Sequence, residues 1–423
     1  MRSPDRTGAP DRSGARDPAG DPDRTGAPDR TGEHDRAILW TMIAAGSAIR
    51  LVLAFATKGL PYDIHSFELV RAALSRAPLH LYAQVNPAGN FHWPYPSGFL
   101  PFVAAASGLA NLVGGDFTHL IRVPAIAADA ALAWLVWRGL EERLDRRARL
   151  LAAALVTFGP VFITISGYAA QIDAVAILPA VAALLVWERP TAGRAWKAGV
   201  LIGVAAAIKS VPLLMVLALA PSARSWREGI ALAASAVGVL VVAMAPFLAV
   251  DSSSVLELRH YTGSPGLGGL SLVVQPDLAK MWLIGPVGLS AASRWLFVEH
   301  PSVLNGLIVV LFVGLAGWTR PRPRLAAALL WLIVLAFGSG FFFQYLVWLL
   351  PFLLLAGYRP YTAALQLLIL APMLIFYDTA WRSTTTLHVY VAIMLAVFLA
   401  WVLKGAEVVR GARLHAAAAT RLG

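Results

Sequence analysis

A carboxylate just beyond an apolar stretch is placed to take a proton where a membrane meets water, and Asp63 in GLPYDIHSFELV holds that position. It follows the first hydrophobic run, Ala37 to Thr57. His65, Glu68, His92, Asp173, Lys209, Gln344 and Tyr345 also fall at or near segment ends that a simple topology puts on the same side. Acids, imidazoles, an amide, a phenol and an ammonium gathered there are the groups of an enzyme with one polar face.

The elements that must position them are membrane helices. The chain has 423 residues, 58% hydrophobic and 14% charged, with mean hydropathy +0.66. That is too few charges to cover a soluble surface, so the composition is that of a multi-pass membrane protein. A span takes roughly 20 apolar residues, and about twelve such helices fit between Arg- and Pro-bearing breaks. ILWTMIAAGSAIRLVLAFAT and VYVAIMLAVFLAWVL are apolar on every face, unlike the alternating strands of a barrel, so the fold class is all-α.

The net charge of +11 does not mark a nucleic-acid binder, because the basic residues form no patch interleaved with stacking aromatics. They mark topology. Both termini inside puts the arginines of 138–149, 188–197, 222–228 and 319–324 in the cytoplasm, with the polar helix ends outside. Residues 1–36, repeating DRTGAPDR, read as a disordered cytoplasmic tail, 37–404 as the membrane domain and 405–423 as a second tail. The start lacks a signal-peptide h-region, so the first span stays as an anchor. No cysteine is present, hence no disulfide. Two long outer sections result, 58–118 and 251–300, and the charge rule predicts helices lying along the surface at 97–113 and 281–298. A hairpin of spans at 149–167 and 171–187 carries Tyr168, Gln171 and Asp173 at its tip, and 196–221 reads as two short helices meeting near Lys209 and Pro212.

There is no GxxxxGK[ST], and GSPGLGGLS lacks the strand–turn–helix setting of a dinucleotide loop. No cofactor is certain; a divalent metal is possible but unsupported, since no spacing here identifies its site. Several ordered pieces instead resemble the polytopic GT-C fold glycosyltransferases that take sugar from a polyprenyl phosphate, within them the bacterial mannosyltransferase-like branch. Asp63 in YDIHSF follows the first span. YPSGFLPF (95–102) is similar to a Tyr-Pro-Pro stretch, GPVFITISGYAAQIDAVAILP (159–179) to a Gly-Gln-hydrophobic-Asp element, AIKSVPLL (207–214) to a Lys-Pro element, and FQYLVWLLPFLL (343–354) to a Gln-Tyr-x-x-Trp-x-x-Pro motif. Two positions depart: Asp63-Ile64-His65 stands where eukaryotic relatives carry Asp-x-Asp, and Ala170 stands for the glycine before Gln171.

The resemblance implies an inverting transfer of a hexose, most simply mannose, from a polyprenyl-phosphate donor to a lipid-linked or glycan acceptor on the extracytoplasmic face. Asp63 would be the general base, or else a helix cap. Lys209 would meet the donor phosphate, or else snorkel to the interface; keeping an ammonium in a helix pair costs about 2.5–3.5 kcal/mol. Arg259 and His260 are further phosphate candidates. His65 and Glu68, three apart, share a helical face. With His92, Tyr95, Gln171, Asp173, Gln344 and Tyr345 they make up the sugar and acceptor set, and Trp348 lies one turn from Gln344. The rival readings are a transporter or flippase of a lipid-linked saccharide, disfavoured by the absence of an evident repeat, and an inactive scaffold.

Overall fold

The protein is described by a computed structural model over residues 30–422, apart from 88, 89, 142, 262 and 264. Among the described residues, seven helices are long and apolar enough to cross a membrane, so the chain is a multi-pass helical protein. The helices used below are α1 (Arg30–Ala56), α2 (Pro61–Arg76), α3 (Leu100–Val113), α4 (Val123–Gly139), α5 (Arg146–Thr157), α6 (Asp173–Glu188) and α7 (Arg194–Ile208). They continue with α8 (Trp226–Glu257), α9 (Pro301–Thr319), α10 (Pro323–Phe337), α11 (Leu346–Leu355), α12 (Arg359–Tyr377) and α13 (Thr384–Leu422).

Helix α11 is buried along its whole length and forms the centre of the bundle, packed against α4, α6, α10 and α12. Residues apolar all round suit that place, because no face of the helix meets a polar phase. Around it, α7 packs on α6 and α8, α4 on α1, α5 and α6, and α10 on α9 and α13. The outer helices α8, α9 and α13 keep most of their apolar surface exposed, as lipid-facing helices must.

Several expected elements differ. The tail expected at 1–36 falls outside the described residues up to 29, and from Arg30 it is already helix, where buried Asp35 pairs with Arg146 and Arg149. The tail expected at 405–423 continues α13, since Ala, Leu and Arg favour helix and no proline interrupts them. The surface helix expected over 281–298 is instead two short pieces, 279–283 and 291–294, followed by a π turn. Gly285, Pro286 and Gly288 break it. The 97–113 segment is a helix, ending on left-handed Gly114.

Among the described residues, most buried charges are paired, Arg122 being held instead by the Ala54, Thr57 and Gly167 carbonyls and the Thr57 hydroxyl. Arg50, 2% exposed inside α1, donates Nε to Asp129 Oδ2 at 3.0 Å and its other nitrogens to the carbonyls of Gly46, Val156 and Thr157. At the far end of α6, Arg324 grips Glu188 with 2.6–2.9 Å contacts and also holds the carbonyls of Gly139 and Leu355. Removing one partner of such a pair strands the other without water. Arg50→Met should therefore cost about 3–5 kcal/mol, and combining it with Asp129→Leu should recover much of the loss. Thermal unfolding in detergent measures both variants.

Candidate active site

Helix α2 begins at Pro61, a residue suited to the first turn because it has no N–H to leave unpaired. Its cap position is Leu60, so Asp63 lies inside the helix and does not cap it. In contrast, Asp116 and Asp145 accept backbone N–H groups as true caps. Asp173 is likewise the first residue of α6, after Ile172 at the cap position.

The approach to Asp173 is unusual. Residues 163–168 form a π-helical turn, and Ala170 follows with φ +62 in the left-handed region. That conformation crowds a Cβ against the backbone and is natural to glycine, the residue that Ala170 replaces in the resemblance. The turn delivers Gln171 and Asp173 to one side. Gln171 lines the same cavity as Asp63, and Asp173 Oδ1 accepts from Lys209 Nζ at 2.8 Å.

Lys209 sits where α7 stops. Its backbone is extended, φ −148 and ψ 125, ahead of Ser210 and Pro212. Gly98 packs so tightly that a Cβ there would lie 2.6 Å from the Ala207 carbonyl. This close approach brings the Pro94–Pro96 segment against the end of α7 and sets the Tyr95 ring 4.8 Å from the ammonium. Tyr345 and Trp348 cover it at 5.2 Å each. Lys209 is 4% exposed and Asp173 0%, so the ammonium is held by one carboxylate and three aromatic faces.

Two cavities meet there. One, of about 640 Å³, has Lys209 and Ser210 at one end and is otherwise mostly aliphatic, running between Val211–Leu217, α8 (Ala233, Val237), α9 (Asn305, Ile308) and α10 (Val334, Leu335). The other, of about 410 Å³, holds Asp63, Ser66, His92, Gln171 and Gln344 among aromatic walls from Tyr62, Trp93, Trp282 and Phe376. Pro94, Tyr95 and Tyr261 line both.

One side of Asp63 opens to its cavity, but dense packing around the carboxyl dominates. Desolvation pushes its pKa up to about 7, aided by the charge of Asp173 and opposed by the Gln171 hydrogen bond and by Lys209. His92 is shifted down, by desolvation first and then by His65. It is fixed by Ser66 Oγ at 3.2 Å and Asn90 Nδ2 at 3.1 Å, with its ring stacked on Tyr62.

Asp63, His92, Tyr95, Gln171, Gln344 and Tyr345 therefore line the cavities, and Asp173 stands behind Lys209. His65 and Glu68 do not reach them. They face outward, about half exposed and 4.0 Å apart. Arg259 and His260 also stay outside, His260 pairing with Glu257 at 3.0 Å. The residue of that stretch that lines both cavities is Tyr261, whose phenol the charge pattern of the sequence does not single out. Among the described residues, no three His, Asp or Glu side chains converge as a metal site would require.

Residues 93–347, more than half of the chain, match glycosyltransferase family 87. The chain belongs to that family and is a membrane glycosyltransferase. No curated protein matches it. Among solved structures it is similar to ArnT from Cupriavidus metallidurans, apo (16% identity, TM-score 0.45, 87% of this chain and 77% of that one). The undecaprenyl-phosphate-bound form of the same protein gives 16% identity and TM-score 0.47, over 90% and 78%.

The strain at Ala170 has a measurable sign. Ala170→Gly should raise stability by about 1 kcal/mol, and Ala170→Val should lower it by more than that. Thermal midpoints of the purified variants decide the matter.

Proposed function

We propose that the protein transfers a hexose, mannose in the first instance, from a polyprenyl-phosphate donor to a lipid-linked or glycan acceptor on the extracytoplasmic face. The observation that carries this reading is the junction of the two cavities. An aliphatic channel between membrane helices ends at an ammonium, and beside it lies a polar, aromatic-walled chamber with a carboxylate. A lipid phosphate with a sugar on it has the same order of parts. Such a donor enters sideways from the bilayer, its first prenyl units lying between α8, α9 and α10. Its phosphate stops near Lys209, and its sugar reaches past Tyr95 and Tyr261 toward Asp63.

The chemistry follows from that placement. Asp63 accepts the proton of the acceptor hydroxyl while that oxygen attacks the anomeric carbon, and the bond from that carbon to the phosphate oxygen breaks with inversion. Negative charge grows on the departing phosphate. Lys209 and the hydroxyls of Tyr95, Tyr261 and Tyr345 are the donors available to it, in a site where little water competes. A base with pKa of about 7 combines adequate ionisation with appreciable proton affinity at neutral pH.

Asp63→Asn should lower transfer at least about 10²-fold, the minimum expected of a positioned general base, while the protein still folds and inserts. In wild type, kcat/KM should fall as pH drops below about 7, because the reactive form is the carboxylate. Purified protein in nanodiscs with radiolabelled polyprenyl-phosphate mannose measures both. An active Asp63→Asn protein removes the mechanism, and transfer from a glucosyl donor alone changes the sugar.

A further inference from the structure

We infer that Trp282 is the platform on which a sugar ring stacks inside the Asp63 chamber, held rigid by the glycine-packed segment 265–271. The inference rests on the reading of that chamber as the place of sugar transfer.

Trp282 belongs to the short helical piece 279–283 of the second outer section. It lines the chamber that holds Asp63 and not the aliphatic cavity. Its one polar atom is already used, since the indole Nε1–H donates to the Pro265 carbonyl at 2.8 Å. What the half-buried side chain still offers a ligand is ring surface. The indole lies perpendicular to Phe342 with ring centres 5.3 Å apart, and Phe342 lies perpendicular to Tyr345 at 5.9 Å. Tyr345 in turn stacks on Trp348 at 4.3 Å, beside Lys209. A row of aromatic rings thus joins the chamber wall to the ammonium.

The carbonyl that fixes the indole is itself immobilised. Gly266, φ +109, and Gly269, φ +63, take backbone conformations that a side chain resists. An added Cβ would stand 2.8 Å from the Leu278 carbonyl oxygen at the first and 2.7 Å from that of Leu335 at the second. Buried Ser271 accepts the Gly266 N–H and donates to the Gly268 carbonyl, and buried Tyr390 donates to the Leu267 carbonyl at 2.7 Å. The glycines of GSPGLGGLS therefore serve close packing, and the indole they hold loses little freedom when a ligand arrives.

A pyranose carries hydroxyls around its rim and C–H groups on its faces, and neighbouring oxygens draw those hydrogens positive. The negative face of an aromatic ring attracts them. Around the platform, Asp63, Ser66, His92, Gln171 and Gln344 supply the polar groups that a rim of hydroxyls needs. The donor's hexose and a sugar of the acceptor both present this face.

The test is fluorine NMR of the full chain labelled with 5-fluorotryptophan in nanodiscs, the Trp282 resonance being the one lost in Trp282→Phe. Polyprenyl-phosphate mannose, methyl α-mannoside or methyl α-glucoside should shift it, and polyprenyl phosphate without sugar should not. A shift with the lipid-linked donor assigns the platform to the donor's hexose. A shift with a methyl glycoside only, persisting when the donor is bound, assigns it to the acceptor's sugar. Transfer from the radiolabelled donor should drop roughly tenfold in Trp282→Leu and stay within about twofold of wild type in Trp282→Phe, which keeps a ring but not the bond to Pro265. A resonance that no sugar moves, one that sugar-free polyprenyl phosphate moves equally, or a Trp282→Phe protein no better than Trp282→Leu overturns the inference. Wild-type transfer separates the failures. With transfer intact only the platform falls, and with no transfer from that donor the proposed function falls too.

Discussion

A lysine ammonium 2.8 Å from a fully buried carboxylate, with three aromatic rings around it, holds the two cavities of this protein together. Each part needs the others. Without Asp173 the ammonium would carry an unpaired charge away from water, and without Lys209 the carboxylate would. The rings of Tyr95, Tyr345 and Trp348 keep water out while still favouring the cation. Because Lys209 ends α7, Asp173 begins α6 and Tyr95 comes from the first outer section, the pair fastens three distant stretches of chain at the place where the cavities touch.

That arrangement changes what the lysine can do for an anion. An ammonium already neutralised by a carboxylate attracts a phosphate less than a free one would. The aromatic cage keeps it in place when a second anion arrives, and Tyr95, Tyr261 and Tyr345 add neutral donors that cost no charge burial. In the proposed transfer the gain would come late, when negative charge on the leaving group grows and the preset donors need not reorganise.

Much of this was legible in the sequence, for identifiable reasons. Hydropathy and arginine placement gave the helical membrane body, since spans need long apolar runs whatever their tertiary contacts. Asp63, Lys209 and Gln344 stood out as polar residues at the ends of apolar runs. What sequence left open was pairing. Nothing in AIKSVPLL says that its lysine meets the aspartate of QIDAV, because that contact depends on how α6 and α7 pack. The direction of loop side chains was equally hidden. In LRHYTG the sequence favours the charged Arg259 and His260, yet the structure turns Tyr261 to the cavities and leaves His260 on Glu257. His65 and Glu68 lie within a turn or so of Asp63, but the helical period carries them to the outer face of α2. The backbone strain at Ala170 had only one signal, an alanine where the resemblance has glycine.

The proposed transfer requires the lipid phosphate to lie in the aliphatic cavity beside Lys209. The most direct measurement is photo-crosslinking in nanodiscs with a polyprenyl phosphate carrying a diazirine in its first prenyl unit, read by peptide mass spectrometry. Label is expected on residues 211–217 and on α8 near Ala233 and Val237, suppressed by unlabelled polyprenyl phosphate. Label that is suppressed in the same way but confined to other helices, with none in that cavity, would contradict it.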